Sequence, residues 1–295
     1  MAEVIDLKKD AVQNRAAGPW REGWRSFKKS KISLIGAGIV LFFIVLAVFG
    51  PAIAPQGIND QDFTKKLLAP SSQYWFGTDD FGRDIFSRVV HGARISLWVG
   101  LFSVVLSVIV GSVLGIVAGY YGKWIDTIIS RIFDIMLAFP SILLAIAVVA
   151  VLGPSLQNAL IAIAIINVPN FGRLIRSKVL SVKEEEYIVA AKAIGMRDIR
   201  ILFSHILPNS MTPIIVQGTL AIATAIIEAA ALGFLGLGAQ APAPEWGKML
   251  ADARIYLLKA PWTMIFPGLA IMLTVLGFNL MGDGLRDALD PKMKS

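Results

Sequence analysis

Long runs of apolar residues dominate the pattern of the chain, and polar stretches separate them. A helix that crosses a lipid bilayer needs about 20 predominantly apolar residues, and several runs reach that length. Inside lipid the backbone must satisfy its own hydrogen bonds, so helices and closed barrels are the structures available. The pattern predicts an all-α polytopic membrane protein with six transmembrane helices, near residues 32–54, 94–120, 127–152, 156–176, 210–237 and 262–282.

The polar stretches define the remaining units. Residues 1–31 form a basic N-terminal segment, 55–93 a large segment between the first two spans, and 285–295 a C-terminal tail. The other five spans and the polar loop 177–209 belong to a core over residues 94–284. In the first segment, aromatic residues at i, i+4 and i+7 among Lys and Arg predict a short interfacial helix. A disordered basic leader is an equally open alternative.

The distribution of positive charge predicts the orientation. Of the 28 Lys and Arg residues, twenty lie on the side of both termini and of loop 177–209, and eight lie on the other side. Short loops rich in Lys and Arg stay in the cytoplasm. Both termini and loop 177–209 are therefore expected to be cytoplasmic, in a chain whose surroundings are a lipid bilayer. The net charge of +7 is explained by this orientation, so no nucleic-acid partner is expected.

Several kinds of chemistry have no counterpart in the sequence. The chain has no cysteine, which excludes disulfides and thiolate metal sites. Neither Gly122-Lys123 nor Gly247-Lys248 belongs to a phosphate-binding loop, because the earlier glycine and the following hydroxyl residue are absent. The two histidines, His91 and His205, fall on opposite sides of the predicted membrane. We expect no catalytic residue, no metal site and no cofactor bound by this chain, which is predicted not to be an enzyme.

Residues 183–208 form the one long charged and patterned stretch between spans. Residues 183–194 predict a helix, and its first turn contains the acidic residues that suit a helix N-terminus. Gly195 follows where a left-handed residue commonly ends a helix. A second helix is predicted with Asp198 as its cap and Pro208 near its end. Its apolar positions are Ile199, Leu202, Phe203 and Ile206, and its basic face contains Arg197 and Arg200.

This helix–glycine–helix stretch, called the elbow below, resembles the cytoplasmic "EAA" loop in permease subunits of bacterial ABC importers. In that family the loop docks on an ATPase subunit and transmits its motion to the membrane spans. The sequence departs from the family pattern at Val189, where the family has glutamate, and at His205, where it has isoleucine. The residues that match the pattern, and to which the resemblance assigns ATPase coupling, are Ala190, Ala191, Gly195, Leu207 and Pro208.

A second and more specific resemblance lies at residues 75–100, WFGTDDFGRDIFSRVVHGARISLWVG. This run and residues 282–291, GDGLRDALDP, are similar to the second permease subunit of dipeptide, oligopeptide and nickel ABC importers. The resemblance implies the type I importer permease fold in a bacterial cytoplasmic membrane and a di- or oligopeptide substrate. Nickel, other metal chelates or glutathione are alternative substrates. The implied partners are a homologous permease, two ABC ATPase subunits that bind ATP and Mg²⁺, and an extracytoplasmic substrate-binding protein.

Other residues within the spans suggest packing and bending. Gly111, Gly115 and Gly119 form a repeated small-residue ridge on one face of the second span, which lets another helix approach closely. Pro140 in the third span and Pro169 in the fourth each remove a backbone hydrogen bond, so we expect each to kink its helix.

Two carboxylates lie inside predicted spans, and two interpretations of them stay open. Glu228 is in the fifth span and Asp134 in the third. A carboxylate in a membrane interior costs about 3 kcal/mol on insertion scales, so both should face the bundle interior or water. The family resemblance implies a structural role for Glu228. The alternative is a proton or cation relay in a carrier that works alone and is driven by an ion gradient.

Overall fold

A computed structural model describes residues 19–289 as a bundle of α-helices. Within that range no strand occurs, apart from one isolated bridge between Thr78 and Asp84. A π-helical turn, Leu202–Ile206, joins two of the helices, and two short 3₁₀ turns occur at Phe63–Lys65 and Arg254–Tyr256. The helices are α1 Pro19–Lys29, α2 Lys31–Ile53, α3 Ile85–Tyr121, α4 Lys123–Ala138, α5 Ser141–Leu152, α6 Leu156–Val182, α7 Glu186–Ala193, α8 Asp198–Ile201, α9 Leu207–Phe234, α10 Trp246–Ala253 and α11 Trp262–Leu289.

Five helical segments are long and apolar enough to cross a membrane: α2, α3, α6, the α8–α9 unit and α11. The predicted third span, 127–152, is not one straight helix. It is divided into α4 and α5, which meet at an angle of 98°. Phe139 is extended at the break (φ −92°, ψ 142°), because the ring of Pro140 disfavours the helical conformation in the residue before it. Counted as one broken span, α4 and α5 complete the predicted six.

Two other helices differ from the prediction in their bounds. The second span begins at Ile85 rather than near residue 94, because Asp84 caps α3 by accepting the Ser87 N–H at 2.9 Å. Residues 85–93 are therefore the first part of this one helix. Pro169 lies inside α6, which runs without a break from Leu156 to Val182.

The most extensive helix–helix contact in the described part of the chain joins α3 to α6. The ridge of Gly111, Gly115 and Gly119 lies in this contact. A Cβ added at Gly111 would lie 2.8 Å from the Val168 carbonyl oxygen, and one added at Gly119 would lie 3.0 Å from that of Arg176. The two backbones are thus too close for larger residues, so the ridge fixes how α3 and α6 pack.

The bundle has two polar ends. One end, called the elbow end, contains residues 183–208 together with α1, whose Gly23 lies against Leu289 at the end of α11. The helix predicted in residues 1–31 corresponds to α1, in which Phe27 is buried and Trp24 is exposed. Residues 1–18 of that segment, and residues 290–295 of the predicted tail, lie outside the described residues.

The other end, called the loop end, consists of residues 54–84 and 235–261. Asp79 is its central acceptor: the Arg83 Nε donates to Asp79 Oδ2 at 2.6 Å, and the buried Arg88 Nε lies 3.7 Å from the same oxygen. Arg88 also donates to the Ile58 carbonyl at 2.9 Å. These side chains tie the loops to the first turns of α3.

Glu245 connects the loop end to the bundle. It caps α10 by accepting the backbone N–H groups of Gly247 and Lys248, both at 2.8 Å. Its side chain is buried beside Trp246, and this burial raises the pKa of Glu245 above its usual value. A buried carboxylate with two backbone donors holds the turn before α10 in place, although the burial favours its neutral form.

Candidate functional site

The elbow consists of α7, a glycine turn, and α8 with its π-helical extension. Gly195 follows α7 with a φ of +81°, in the left-handed region that glycine adopts without strain. The Gly195 N–H donates to the Lys192 carbonyl at 2.9 Å, and the Met196 N–H donates to the Ala191 carbonyl at 3.0 Å. This pair of bonds is the Schellman arrangement that ends a helix. Gly195 therefore sets the angle between α7 and the residues that follow.

The inner face of the elbow packs on the bundle. Ile188 and Ala191 from α7 and Ile201 from α8 are buried in one cluster with Ile206. The helix that supports them is α6, through Ile175 and Val179. Of the two predicted coupling alanines, Ala191 is thus turned towards the bundle, whereas Ala190 is exposed.

The predicted apolar stripe of the second helix is wrong in part. Ile206 is buried and Leu202 is partly buried, but Ile199 and Phe203 are 68% and 67% exposed. The buried position next to them is Ile201, which the predicted spacing did not include. The π-helical turn at Leu202–Ile206 shifts the residues that face inwards, so the period of an α-helix does not hold there.

The outward face of the elbow is apolar and basic. Ile194 is 80% exposed, and it accompanies Ile199 and Phe203 in presenting large apolar side chains to the outside. Arg197 and Arg200 are exposed on the same segment. Apolar side chains exposed together and bordered by charge are typical of a surface that another protein covers.

Polar contacts hold the elbow to the end of α3. The Tyr120 hydroxyl donates to Asp198 Oδ1 at 2.5 Å, and Lys183 Nζ donates to the Gly119 carbonyl at 3.3 Å. The Lys192 ammonium lies 5.1 Å from the centre of the Tyr120 ring. Asp198 was predicted to cap the second helix, which is wrong: the cap is Arg197, and it makes no side-chain capping bond. Asp198 instead ties the elbow to α3.

Pro208 does not end the second helix, contrary to the prediction. A proline lacks the N–H of the helical ladder, and its ring collides with the carbonyl four residues earlier. The chain widens before it: the Leu207 N–H donates to the Leu202 carbonyl, five residues back, in the π-helical turn. The widened turn accommodates Pro208, and α8 continues directly into α9. The predicted coupling pair, Leu207 and Pro208, thus lies in an unbroken helical connection between elbow and span.

The two intramembrane carboxylates have different surroundings. The Asp134 carboxylate in α4 accepts a hydrogen bond from Arg173 of α6, and Arg131 Nη1 lies 3.8 Å from its other oxygen. Glu228 in α9 accepts from the Asn167 amide of α6 at 3.1 Å. Glu228 makes no ion pair with any residue in the described range 19–289. The structure therefore does not bring the two acids together in one polar chain.

A cavity of about 330 Å³ lies beside Glu228. The break between α4 and α5 forms one wall, through Phe139 and Ser141, and α6 and α9 form the others. The polar side chains that line it include Asn167, Asn170, Gln217 and Thr224. Of the described residues, no group of three or more His, Cys, Asp or Glu side chains is arranged to hold a metal ion.

The sequence analysis did not identify the polar partners of Asp198 in the elbow and of Glu228 in the span. Tyr120 follows the glycine ridge and ends an apolar run, so it resembles an ordinary interfacial aromatic residue. Asn167 and Asn170 flank Pro169 in an otherwise apolar span. Amides at that depth need hydrogen-bond partners, a signal that could have joined them to Glu228.

Comparison with known proteins agrees with this architecture. The model of the family described as "Binding-protein-dependent transport system inner membrane component" matches residues 111–295. The model of the "N-terminal TM domain of oligopeptide transport permease C" matches residues 18–70. The fold is similar to a chain of the MetNI methionine ABC transporter in an inward-facing conformation, with a TM-score of 0.53, 20% identity, and coverage of 68% of this chain and 96% of that one. The all-α fold of a type I importer permease is confirmed.

Sequence similarity to named permease proteins covers nearly the whole chain. A dipeptide transport system permease protein from Alkalihalophilus pseudofirmus is 65% identical, over 96% of this chain and 93% of that protein. Glutathione transport system permease proteins from Pectobacterium atrosepticum and Escherichia coli are 50% and 51% identical, over 94% and 98% of this chain and 92% and 94% of theirs. The chain belongs to the family of binding-protein-dependent transport system inner membrane components.

Proposed function

We propose that this chain is the membrane-spanning permease subunit of an ATP-driven importer of dipeptides and oligopeptides. The observation that carries the proposal is the 65% identity with a dipeptide permease over 96% of the chain. The partners would be a homologous permease, two ABC ATPase subunits and an extracytoplasmic substrate-binding protein. The chain itself would catalyse no reaction, and ATP and Mg²⁺ would be bound by the ATPase subunits.

In this proposal the elbow is the docking surface for an ATPase subunit. Its exposed Ile194, Ile199 and Phe203 offer apolar area to a groove, and Arg197 and Arg200 offer charge. Val189 stands where the family has glutamate, so the contact relies on these groups rather than on that carboxylate. The elbow end, with both termini, would face the cytoplasm, and the loop end would receive the binding protein.

The continuous helix from elbow to span supports a mechanism for coupling. Closure of the ATPase pair would push the elbow, whose angle is set by Gly195. The displacement would pass through the π-helical turn into α9 and reach Glu228, 21 residues beyond Leu207. At a rise of 1.5 Å per residue, this is a distance of about 31 Å along a helix without a break. Rigid-body rocking of such a unit would alternate access to the pathway between the two permeases.

A glutathione importer is a second candidate, because named glutathione permeases are 50–51% identical; the higher identity favours a dipeptide substrate. A carrier working alone through Glu228 and Asp134 is disfavoured, because Asp134 is neutralised by arginines and lies in a different polar contact.

The experiment that tests coupling replaces Gly195 with valine. A β-branched residue at a φ of +81° is strained by about 1–2 kcal/mol or more, so the elbow should leave its native angle. We expect ATP-driven uptake of dialanine into proteoliposomes to fall at least tenfold, with the ATPase subunits still hydrolysing ATP.

The matched control is Gly38→Val, an exposed helical glycine in α2 with no atom within 4 Å of an added Cβ. It should insert and transport like the wild type. Wild-type uptake by the Gly195→Val transporter would remove the elbow from the mechanism. Uptake of glutathione in preference to dialanine by the unmodified transporter would replace the proposed substrate with the second candidate.

A further inference from the structure

The surroundings of Glu228 differ from those of the two acids in α4, Asp126 and Asp134. Asp126 in α4 is paired with Arg176, whose Nε and Nη2 donate to its two oxygens at 2.5 and 2.7 Å. Asp134 is paired with Arg173 and Arg131. Glu228 receives a neutral amide donor, and no Lys or Arg lines its cavity. Of these three acids, Glu228 is the one whose negative charge has no basic partner.

The end of α4 and the beginning of α5 meet at the same cavity. The last carbonyl groups of a helix lack intrahelical donors and carry the negative end of its dipole. Here Pro140 cannot supply an N–H, and the chain turns by 98° before α5 begins. Residues Met136, Leu137 and Phe139 of this terminus line the cavity opposite Glu228. The N-terminus of α5 begins at Ser141 in the same lining and contributes a positive helix end, which offsets the negative end of α4. The Glu228 carboxylate is therefore the charge that favours a cation in this space.

The remaining wall suits a peptide. Asn170 and Gln217 carry amides that can both donate and accept hydrogen bonds, as a peptide group requires. Leu144 and Phe171 provide apolar surface for side chains. The volume of about 330 Å³ is at the lower end of the range for small-molecule sites, about 300–1,000 Å³. A metal ion is a poor fit, because one carboxylate offers too few charged oxygen ligands.

The cavity continues towards the elbow end. A second cavity, of about 380 Å³, shares Gln217 and Leu220 with it and is lined by Lys178 and Arg286. Gln217 and Glu228 are 11 residues apart in α9, or about 16 Å, whereas a dipeptide extends over roughly 7 Å. A dipeptide would therefore meet the acidic site and the basic site one after the other.

We propose that the cavity beside Glu228 is a transient binding site for the α-ammonium group of the transported peptide, with Glu228 as its counter-charge and Asn170 as the partner of the peptide group. The proposal rests on the proposed function, and the partner permease would close the open side. Asn167 orients the Glu228 carboxylate: it donates both to Glu228 and, at 2.9 Å, to the Ile163 carbonyl.

Glu228→Gln tests the charge while retaining the fold. A glutamine oxygen can still accept the Asn167 hydrogen bond, so a purely structural role would survive the change. The assembled transporter in nanodiscs, without the binding protein, is mixed with dialanine or N-acetyl-dialanine, and saturation-transfer NMR measures binding. We expect the wild type to give at least a fivefold larger signal for dialanine, and Glu228→Gln to abolish that preference.

Two further variants separate the outcomes. Glu228→Asp retains the charge and should keep most of the preference for dialanine. Asp60→Asn removes an exposed carboxylate at the loop end, which lines neither cavity, and should match the wild type. An unchanged preference in Glu228→Gln, or its equal loss in Glu228→Gln and Glu228→Asp, would overturn the proposal.

The uptake assay distinguishes this failure from failure of the proposed function. If the wild-type transporter imports dialanine but the Glu228 variants show no charge effect, the proposed function is retained and the proposed binding site is rejected. If the wild type neither imports nor binds dialanine, both are overturned.

Discussion

Tyr120 is the residue through which α3 contacts the elbow most directly. Its hydroxyl donates to Asp198 Oδ1, and Lys192 lies over its ring. A hydrogen bond to a charged group contributes about 1.5–3 kcal/mol when buried. Tyr120 is partly exposed, so its bond is worth less than that.

We expect Tyr120→Phe to loosen the elbow while leaving the bundle intact. The ring and its contact with Lys192 remain, and only the hydrogen bond to Asp198 is lost. Dialanine taken up per ATP hydrolysed should fall about threefold to fivefold, which corresponds to about 1 kcal/mol. The ratio is measured in proteoliposomes that contain equal amounts of transporter.

Tyr121→Phe is the matched control, because Tyr121 is the exposed neighbour and stacks edge-on against Tyr120. It should transport like the wild type. Equal ratios in all three proteins would show that the bond to Asp198 plays no part in coupling.

Single residues show where sequence reasoning succeeds and where it stops. Gly195 was placed correctly in the left-handed region, because a glycine after a helical run has a local conformational cause. The surroundings of Glu228 and Asp134 could not be derived in this way. Whether a membrane acid meets Arg173 or Asn167 depends on which faces of α4, α6 and α9 meet, and that is set by the packing of the whole bundle.

At the scale of elements, two prolines with the same chemistry have different outcomes. Pro140 ends a helix and produces the 98° break between α4 and α5. A π-helical turn before Pro208 makes room for its ring, and the helix continues. The difference comes from tertiary packing: Ile201, just before the π-helical turn, and Ile206, its last residue, are both buried and hold it in place. An apolar period alone cannot reveal a local change of helix type, so the four positions of the predicted stripe, Ile199, Leu202, Phe203 and Ile206, do not lie on one face.

We expect Pro208→Ala to disturb coupling without preventing membrane insertion. Alanine restores a backbone N–H at position 208, so the widened turn can revert to an α-helix. That change would rotate α8 by about 100° relative to α9 and bring Ile201 out of its buried position. Uptake per ATP should fall several-fold, while the amount of protein in the membrane stays at the wild-type level.

Pro51→Ala provides the comparison for this variant. Pro51 is also inside a helix, α2, and is exposed, but no π-helical turn precedes it. It should transport normally. If Pro208→Ala matches Pro51→Ala, the π-helical turn is only a packing adjustment and does not serve transmission.

At the scale of the whole molecule, the hydrophobic pattern was sufficient for the class and most of the architecture. Apolar runs of membrane length leave the backbone few alternatives to helices, and five of the six predicted spans are single helical segments in the described residues. The hydrophobic pattern does not determine the orientation of the chain in the membrane. The orientation follows from the charge bias alone, and the contacts inside the bundle would be the same for either orientation.

The orientation can be measured directly, because the chain contains no cysteine and a single introduced one reports one position. Arg197→Cys places the reporter on the exposed elbow, and Lys259→Cys places it at the exposed loop end. With twenty of 28 basic residues on the elbow side, the positive-inside rule predicts that this side is cytoplasmic. In intact spheroplasts an impermeant maleimide should label Lys259→Cys and leave Arg197→Cys unlabelled until the membrane is permeabilised.

The chain is expressed for this measurement without ATPase subunits, so that a docked partner cannot shield Arg197→Cys. Both variants should react equally after solubilisation in detergent, which shows that each thiol is accessible. Labelling of Arg197→Cys in intact spheroplasts would place the elbow outside the cell, where no ATPase could reach it. The docking surface, the transmission through α9 and the order in which a peptide meets Glu228 would then all have to be abandoned, because each depends on the elbow facing the compartment that contains ATP.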